Sequence, residues 1–118
     1  MSKLQFPSRA QERRWFGALQ KAKVNRERAT GRRLRNTIRK TYGPLVVKVA
    51  RLCVAQDRKT YPFVESKRKG MRGLTKAIES YKPKSSYRFL TYAIWWIRKA
   101  IKGNQKRAAE NQHRSKGK

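Results

Sequence analysis

Residues 87–98 read YRFLTYAIWWIR, and five of these twelve residues are aromatic. The charged residues in this segment are two arginines. Large aromatic side chains normally pack in a protein core. Here they are concentrated in one short segment of a very basic chain, so the sequence poses two alternatives: a core, or a surface on which a ligand stacks.

Helical periodicity separates the side chains of residues 88–104 into two faces, at about 100° per residue. The first face is an aliphatic stripe formed by Leu90, Ile94, Ile97 and Ile101. The second face is aromatic and is formed by Phe89, Tyr92 and Trp96, with Trp95 beside it. We expect the aliphatic stripe to face the core and the aromatic face to point outward. The alternative is a helix that is buried on both sides.

The chain as a whole carries an unusually high positive charge. Its 118 residues suit one domain, and 33 Lys and Arg against 6 Asp and Glu give a net charge of +27. Self-repulsion at this density opposes compaction, and a polyanionic partner relieves it. Nucleic acid is the commonest such partner. No stretch is apolar enough to span a bilayer, and the cations are not confined to one amphipathic helix, so the sequence predicts no membrane association.

The pattern predicts an all-α fold, a small bundle of about four helices with basic flexible tails. Ser8 is a good N-cap for a first helix over about 9–30, whose apolar face is formed by Trp15, Ala18, Leu19 and Ala22. A second helix over 32–56 is expected to be interrupted at Gly43-Pro44, because proline disfavours helical geometry in the residue before it. Its apolar residues are Leu34, Ile38, Leu45, Val46, Val49, Leu52 and Cys53.

Two further helices are predicted over 64–80 and 86–112, with loops between them. We therefore divide the chain into a basic N-terminal helical extension (1–30), a helical domain (31–112) and a basic tail (113–118) that is disordered without a partner. Cys53 is predicted to be a small buried residue. A single cysteine excludes an intramolecular disulfide, which favours a reducing compartment. A cytoplasmic or nucleoid-associated protein fits, and an organellar matrix remains an alternative.

Aromatic side chains interleaved with cations are typical of proteins that bind single strands. Bases stack on the rings while cations follow the phosphates, and each stacked base contributes about 1–3 kcal/mol. A duplex reader instead needs polar side chains on a helix that enters the major groove. The predicted nucleic-acid-binding residues of this segment are Tyr87, Arg88, Phe89, Tyr92, Trp95, Trp96, Arg98, Lys99 and Lys102.

Residues 73–103, GLTKAIESYKPKSSYRFLTYAIWWIRKAIKG, resemble region 2 of the bacterial primary RNA polymerase sigma factors, the helical domain that docks on RNA polymerase and melts the −10 promoter element. Residues 36–54, NTIRKTYGPLVVKVARLCV, resemble the first long helix of that domain. The resemblance covers roughly 28–103. It implies that Tyr87, Phe89, Tyr92, Trp95 and Trp96 capture and stack on unpaired promoter bases.

The chain departs from the family pattern at two places. Lys99 and Lys102 stand where the family has uncharged polar residues. The stretch ESKRKGMRGL (65–74) carries four basic residues where the family's polymerase-docking helix is acidic and apolar, and Glu65 alone matches an acid. Two functions therefore stay open. One is a sigma-like protein that binds unpaired promoter DNA with RNA polymerase core. The other is a repurposed domain that binds structured RNA in a ribonucleoprotein particle such as a ribosome, with Lys67, Arg68 and Lys69 on phosphates.

An enzyme is not predicted. The single His113 lies in the polar tail, and the six acids are scattered without metal-ligand spacing. The sequence therefore predicts no metal, cofactor or small-molecule substrate.

Overall fold

The computed structural model describes residues 5–56 and 62–116, with side chains up to Gly103. Within these ranges the chain forms four helices, α1 (Arg9–Val24), α2 (Arg28–Gln56), α3 (Phe63–Ser80) and α4 (Phe89–Lys116). The described residues contain no strand, so the predicted all-α class is confirmed. None of the helices in these ranges is long and apolar enough to cross a membrane.

Helix α1 starts where the sequence predicted. The Ser8 side chain accepts a hydrogen bond from the Gln11 backbone N–H at 3.2 Å, which satisfies one free donor of the first turn. The helix ends at Val24, six residues before the predicted end at Thr30. The reason lies at Arg26, whose φ of 59° is left-handed and interrupts the helical path. Gly31, the predicted stop, lies inside α2 and is buried.

Helix α2 is continuous through Gly43-Pro44, so of the two alternatives predicted there, a kink or two shorter helices, the second is wrong. Proline has no N–H to donate to the carbonyl of Lys40, which normally weakens a helix interior. The residues around it compensate, because Tyr42 and Val46 are fully buried and hold this turn of the helix against the core. Local proline chemistry is overridden here by tertiary packing.

The core is one cluster to which all four helices contribute. Helix α1 supplies Phe16, Leu19 and Ala22, whereas Trp15, expected on this face, is half-buried and Ala18 is exposed. The predicted apolar residues of α2 are largely buried, including Cys53, but Leu52 at the end of the stripe is 47% exposed.

Helices α3 and α4 pack more closely than any other pair. Two glycines of α3 make this approach possible. A Cβ atom added at Gly73 would lie 2.6 Å from the carbonyl oxygen of Trp96 and 2.8 Å from Cβ of Ala100. One added at Gly70 would lie 2.8 Å from Cγ1 of Val46 in α2 and 3.3 Å from Cγ2 of Ile97 in α4. The absence of side chains at these positions lets α3 approach α4 at Gly73 and both α2 and α4 at Gly70.

Helix α4 begins at Phe89 and reaches Lys116, past the predicted end at Gln112. Residues 113–116 of the expected disordered tail are therefore helical, and residues 117 and 118 lie outside the described ranges. The predicted loop over 57–66 is shorter, since α3 begins at Phe63, and its residues 57–61 also lie outside them.

Candidate nucleic-acid interface

The core stripe of α4 differs from the predicted one. Its fully buried residues are Phe89, Ala93, Ile97 and Ile101. Leu90 and Ile94, expected at the centre of the core face, are half-buried at its edge. The helix is therefore rotated by about 50° from the expected orientation, at 100° per residue. The prediction of an outward-facing Phe89 is wrong.

Phe89 is buried because α1 and α2 enclose it with aromatic rings. Its ring centroid lies 4.5 Å from that of Phe16, 4.9 Å from that of Tyr42 and 5.3 Å from that of Tyr81. Edge-to-face and tilted contacts at these distances stabilise an aromatic cluster beyond the area it buries. Phe89 thus belongs to the support of the interface and is not accessible to a ligand.

The other four aromatic side chains form a continuous row at the surface, which we call the aromatic row: Tyr87, Tyr92, Trp95 and Trp96. The Tyr87 and Tyr92 rings stack with centroids 5.4 Å apart and an interplanar angle of 28°. Trp96 contacts the Tyr92 ring at 6.2 Å and the Trp95 ring at 5.4 Å, both nearly perpendicular. Tyr87 is 47% exposed and Trp95 55% exposed, so the two ends of the row face solvent.

The tyrosines of the row are held by hydrogen bonds. The Tyr92 hydroxyl lies 2.9 Å from Oγ of Ser80, and the Tyr81 hydroxyl donates to the Tyr87 carbonyl at 2.6 Å. Tyr81 itself is buried beneath the row, and this burial, with the Glu12 carboxylate nearby, raises the pKa of its hydroxyl. The row is therefore an ordered surface attached to the core.

One cation joins the row directly. Nζ of Lys99 lies 4.7 Å from the Trp95 ring centroid and 5.4 Å from that of Trp96, within the range of a cation–π interaction. Arg98 and Lys102 are exposed on the same helix. The indole Nε1 of Trp96 is buried and has no hydrogen-bond partner among the described residues.

Arg88, a predicted phosphate contact, is engaged within the protein. Its guanidinium donates to the Pro7 carbonyl at 2.7 Å and to the Glu12 carboxylate at 3.2 Å. Arg88 also provides the N-cap carbonyl of α4, which accepts from the Tyr92 N–H. The structure thus places Arg88 at the base of the interface, joining α1 to the start of α4.

Glu12 is the residue that sequence reasoning missed. It is 1% exposed, and its carboxylate accepts from the backbone N–H groups of Phe89 at 3.0 Å and Leu90 at 3.2 Å. It also accepts from the Tyr42 hydroxyl at 2.8 Å. A carboxylate at a helix N-terminus satisfies free donors and interacts favourably with the helix dipole. The signal was its position four and seven residues before the buried Phe16 and Leu19, on the same face of α1.

The predicted basic stretch of α3 lies apart from the aromatic row. Lys67 and Arg68 are exposed and Lys69 is half-buried, near the start of α3. The end of α3, at Ser80, is the part that touches Tyr92. The structure therefore does not bring Lys67, Arg68 and Lys69 together with the rings. No group of three or more His, Cys, Asp or Glu residues in the described part of the chain could hold a metal ion.

Comparison with known proteins agrees with this architecture. Residues 38–111 match the family described as Sigma-70 region 2. The chain is 42% identical over 71 residues, 60% of its length, to RNA polymerase sigma factor RpoS of Coxiella burnetii. It is 31% identical over 78 residues, 66% of its length, to RNA polymerase sigma factor RpoD of Helicobacter pylori (strain 26695), and 48% identical over 40 residues, 34% of its length, to the chloroplastic sigma factor sigF of Arabidopsis thaliana.

The fold and the match define a helical sigma-type domain, and the chain belongs to the Sigma-70 region 2 family. The resemblance inferred from the aromatic helix is confirmed. The chain spans a small part of these relatives, 18% of the Coxiella protein, 11% of the Helicobacter protein and 7% of the Arabidopsis protein.

Proposed function

We propose that the protein binds unpaired nucleic-acid bases through the aromatic row and acts as a sigma-like factor in transcription initiation, together with RNA polymerase core at promoter DNA. The observation that carries this proposal is the ordered row of four rings at the surface, ending in Trp95 and joined by Lys99. Family membership supports the same activity.

The chemistry of the row fits bases that have left the double helix. An exposed ring such as Trp95 offers a face on which any base can stack, and Lys99, Arg98 and Lys102 are placed to neutralise the phosphates of the same strand. A paired base inside a duplex cannot present its face to the ring. The row therefore favours single strands over duplexes, and the support by Phe89 and Tyr81 means that little ordering is needed on binding.

Trp95→Ala tests this function. The loss of one stacked base should weaken binding to a fluorescein-labelled single strand by about 1–3 kcal/mol, roughly 5- to 150-fold, in fluorescence anisotropy. The matched control is Val24→Ala, which truncates an exposed apolar side chain on α1, outside the row. Thermal unfolding followed by circular dichroism should be unchanged in both variants. Equal affinities of Trp95→Ala and the control for the single strand would contradict the proposal.

Structured RNA is the second candidate ligand, as in a ribonucleoprotein particle. It is favoured by the distribution of charge, because exposed arginines are also found on α2, for example Arg32 and Arg33, and not only on the helix that carries the row. Binding affinity falls with salt in proportion to the phosphates contacted, by a log–log slope of about −0.7 per contact on single strands. A folded RNA that reaches these helices should give a clearly steeper slope than a short single strand. The polymerase or particle that co-purifies with the native protein decides between the two candidates.

A further inference from the structure

The corner between α1 and α2 holds a small pocket, which we call the corner pocket. It has a volume of about 210 Å³, and its apolar wall is formed by Leu19, Ala22 and Gly31. Sites for drug-sized ligands usually measure about 300–1,000 Å³. The corner pocket is smaller than that, so it accommodates one small chemical group of a larger molecule.

Charged side chains make up the rest of the corner pocket. Four of them are cations, and the fifth is the carboxylate of Glu27; the cations are Lys23, Arg26, Arg28 and Arg35. These side chains leave the pocket with an excess of positive charge. Because a concave surface lined by one sign of charge concentrates ions of the opposite sign, the pocket favours an anionic ligand.

The cations of the corner pocket have no anionic partner in the protein. Within the described ranges, none of them forms a salt bridge with Glu27 or with another carboxylate, and the salt bridge found there joins Arg88 to Glu12. Arg35 is half-buried, and its Nη1 lies 3.9 Å from the position of a Cβ added at Gly31. A charge that is partly removed from water is unfavourable without a partner, and a bound anion would supply one.

The identity of the cations favours phosphate as that anion. Three of the four are arginines, whose guanidinium groups bind phosphate oxygens through two parallel N–H donors. The cations also continue beyond the pocket, because the exposed Arg32 lies one turn after Arg28 on the same face of α2. A free phosphate ion would fill the pocket without meeting Arg32, whereas a strand carries a series of phosphates that can contact both.

We propose that the corner pocket binds a backbone phosphate of a nucleic-acid strand, whether or not the bases of that strand are paired. No aromatic ring is found among the described residues that line the pocket, so it contacts the backbone and offers no face for stacking. The inference goes beyond the proposed function, because it concerns a different surface. Lys23 lies about 16 Å along α1 from Glu12, the residue that contacts the start of α4.

The experiment uses the full chain and a fluorescein-labelled, blunt DNA duplex of about 16 base pairs, about 54 Å long. The bases of this duplex are paired and cannot stack on Trp95. A double variant, Arg28→Gln with Arg35→Gln, removes two cations of the pocket. The matched control, Arg14→Gln with Arg72→Gln, removes two exposed arginines outside the pocket and outside the aromatic row.

We expect the pocket variant to bind the duplex at least about tenfold more weakly than the wild type in fluorescence anisotropy, or by roughly 1.4 kcal/mol. Its log–log dependence on salt should become shallower by about 0.9, the value of one phosphate contact on a duplex. The control should lose clearly less affinity, and circular dichroism should show both variants folded. Equal losses of affinity in the two variants would mean that net charge alone governs binding and would overturn the proposal.

A second pair of variants tests the corner pocket in the opposite direction. Glu27→Gln removes the carboxylate of the pocket and should tighten duplex binding by roughly twofold to fivefold, the scale of interactions between exposed charges. Glu65→Gln makes the same change of net charge on α3, at an exposed position, and should tighten binding less. Equal affinities of these two variants for the duplex would contradict a site at the corner.

Two further ligands identify the occupant of the corner pocket. If binding of inorganic phosphate depended on Arg28 and Arg35 while binding of the duplex did not, the pocket would hold a free anion and the proposal would be wrong. The same result with a polyglutamate peptide would assign the pocket to an acidic protein and would also overturn it. Trp95→Ala should bind the duplex as the wild type does and lose affinity for a single strand, so failure here is distinct from failure of the proposed function.

Discussion

Two glycines, in helices α2 and α3 that border a groove at the protein surface, have opposite surroundings. At Gly73 of α3, an added Cβ would meet the Trp96 carbonyl oxygen at 2.6 Å. At Gly43 of α2, it would meet no atom within 4 Å apart from the neighbouring residues and the backbone of its own helix. The first glycine allows two helix backbones to approach each other, and the second leaves a groove open to solvent. The α3–α4 contact is thus completed by the protein itself, whereas the surface of α2 at Gly43 is not.

The contact between α3 and α4 also determines where the aromatic row lies. Helix α4 is held laterally by Gly70 and Gly73 of α3, and its N-terminus is held by Glu12 of α1. Trp95 and Trp96 lie on the part of α4 between these two restraints. Any change that loosens either restraint should therefore affect stability first and the row second, whereas changes in the open groove should leave both intact.

The largest effect on stability is expected for Glu12→Ala, which removes the residue that holds the N-terminus of α4. It leaves the Phe89 N–H and the Tyr42 hydroxyl buried without an acceptor, and Arg88 loses its carboxylate partner. Buried groups left without a partner cost about 1–3 kcal/mol each, so we expect a loss of about 3 kcal/mol or more in the free energy of unfolding. Urea denaturation measures it.

The control for this change is Glu27→Ala, which removes an exposed carboxylate from the same basic chain. It should alter the free energy of unfolding by less than about 0.5 kcal/mol, as exposed substitutions usually do. Similar losses in both variants would mean that net charge, and not the contacts of Glu12, governs stability.

Unequal effects at the two glycines test the comparison directly. Gly73→Ala should destabilise the protein by about 2 kcal/mol, because overpacking against a backbone oxygen and Ala100 costs about 1–3 kcal/mol or more. Gly43→Ala should change the free energy of unfolding by less than about 1 kcal/mol, because alanine favours a helix interior over glycine, whereas Pro44 disfavours helical geometry in a preceding residue that carries a Cβ. Thermal and urea unfolding of the two variants measure both values. A loss at Gly43→Ala as large as that at Gly73→Ala would contradict the open surface at Gly43.

Much of the fold could be predicted from the sequence because helical periodicity and local chemistry determine it. The four helices, the Ser8 cap and the buried residues of the middle of α2 follow from apolar spacing. The break after Val24 and the continuity of α2 through Pro44 could not be predicted. The first depends on a single left-handed residue, Arg26, and the second on burial of the flanking side chains.

The candidate site could be predicted in composition but not in orientation. Apolar side chains occupy most of the circumference of α4, so periodicity alone does not decide whether Phe89 or Leu90 faces the core. That choice is made by partners distant in sequence, the Phe16 ring of α1 and the glycines of α3. The role of Glu12 has the same origin, since it lies 77 residues from the Phe89 N–H that it caps.

The smallest effect concerns pH and the buried hydroxyl of Tyr42. Burial, together with the hydrogen bond to Glu12, raises the pKa of Tyr42 well above the ordinary tyrosine value of about 10. Below about pH 10 the Tyr42 hydroxyl is protonated in the folded and unfolded chains, and the stability from its hydrogen bond is fully present. As the pH rises above about 10, the unfolded chain loses the hydroxyl proton while the folded chain keeps it, so the free energy of unfolding falls.

Between about pH 9 and pH 11 this group should therefore remove roughly 1 kcal/mol from the free energy of unfolding. Tyr42→Phe should lack this part of the alkaline loss, although it is less stable at neutral pH because Glu12 loses a donor. The remaining residues are the same in both proteins, so their contributions cancel in the difference. Tyr87→Phe, at an exposed ring, is the control and should keep the wild-type pH dependence. If urea denaturation gave Tyr42→Phe and wild type the same alkaline loss of stability, the Tyr42 hydroxyl would not be held by Glu12 in solution. Glu12 of α1 would then restrain α4 less than the contact with Gly73 of α3 does.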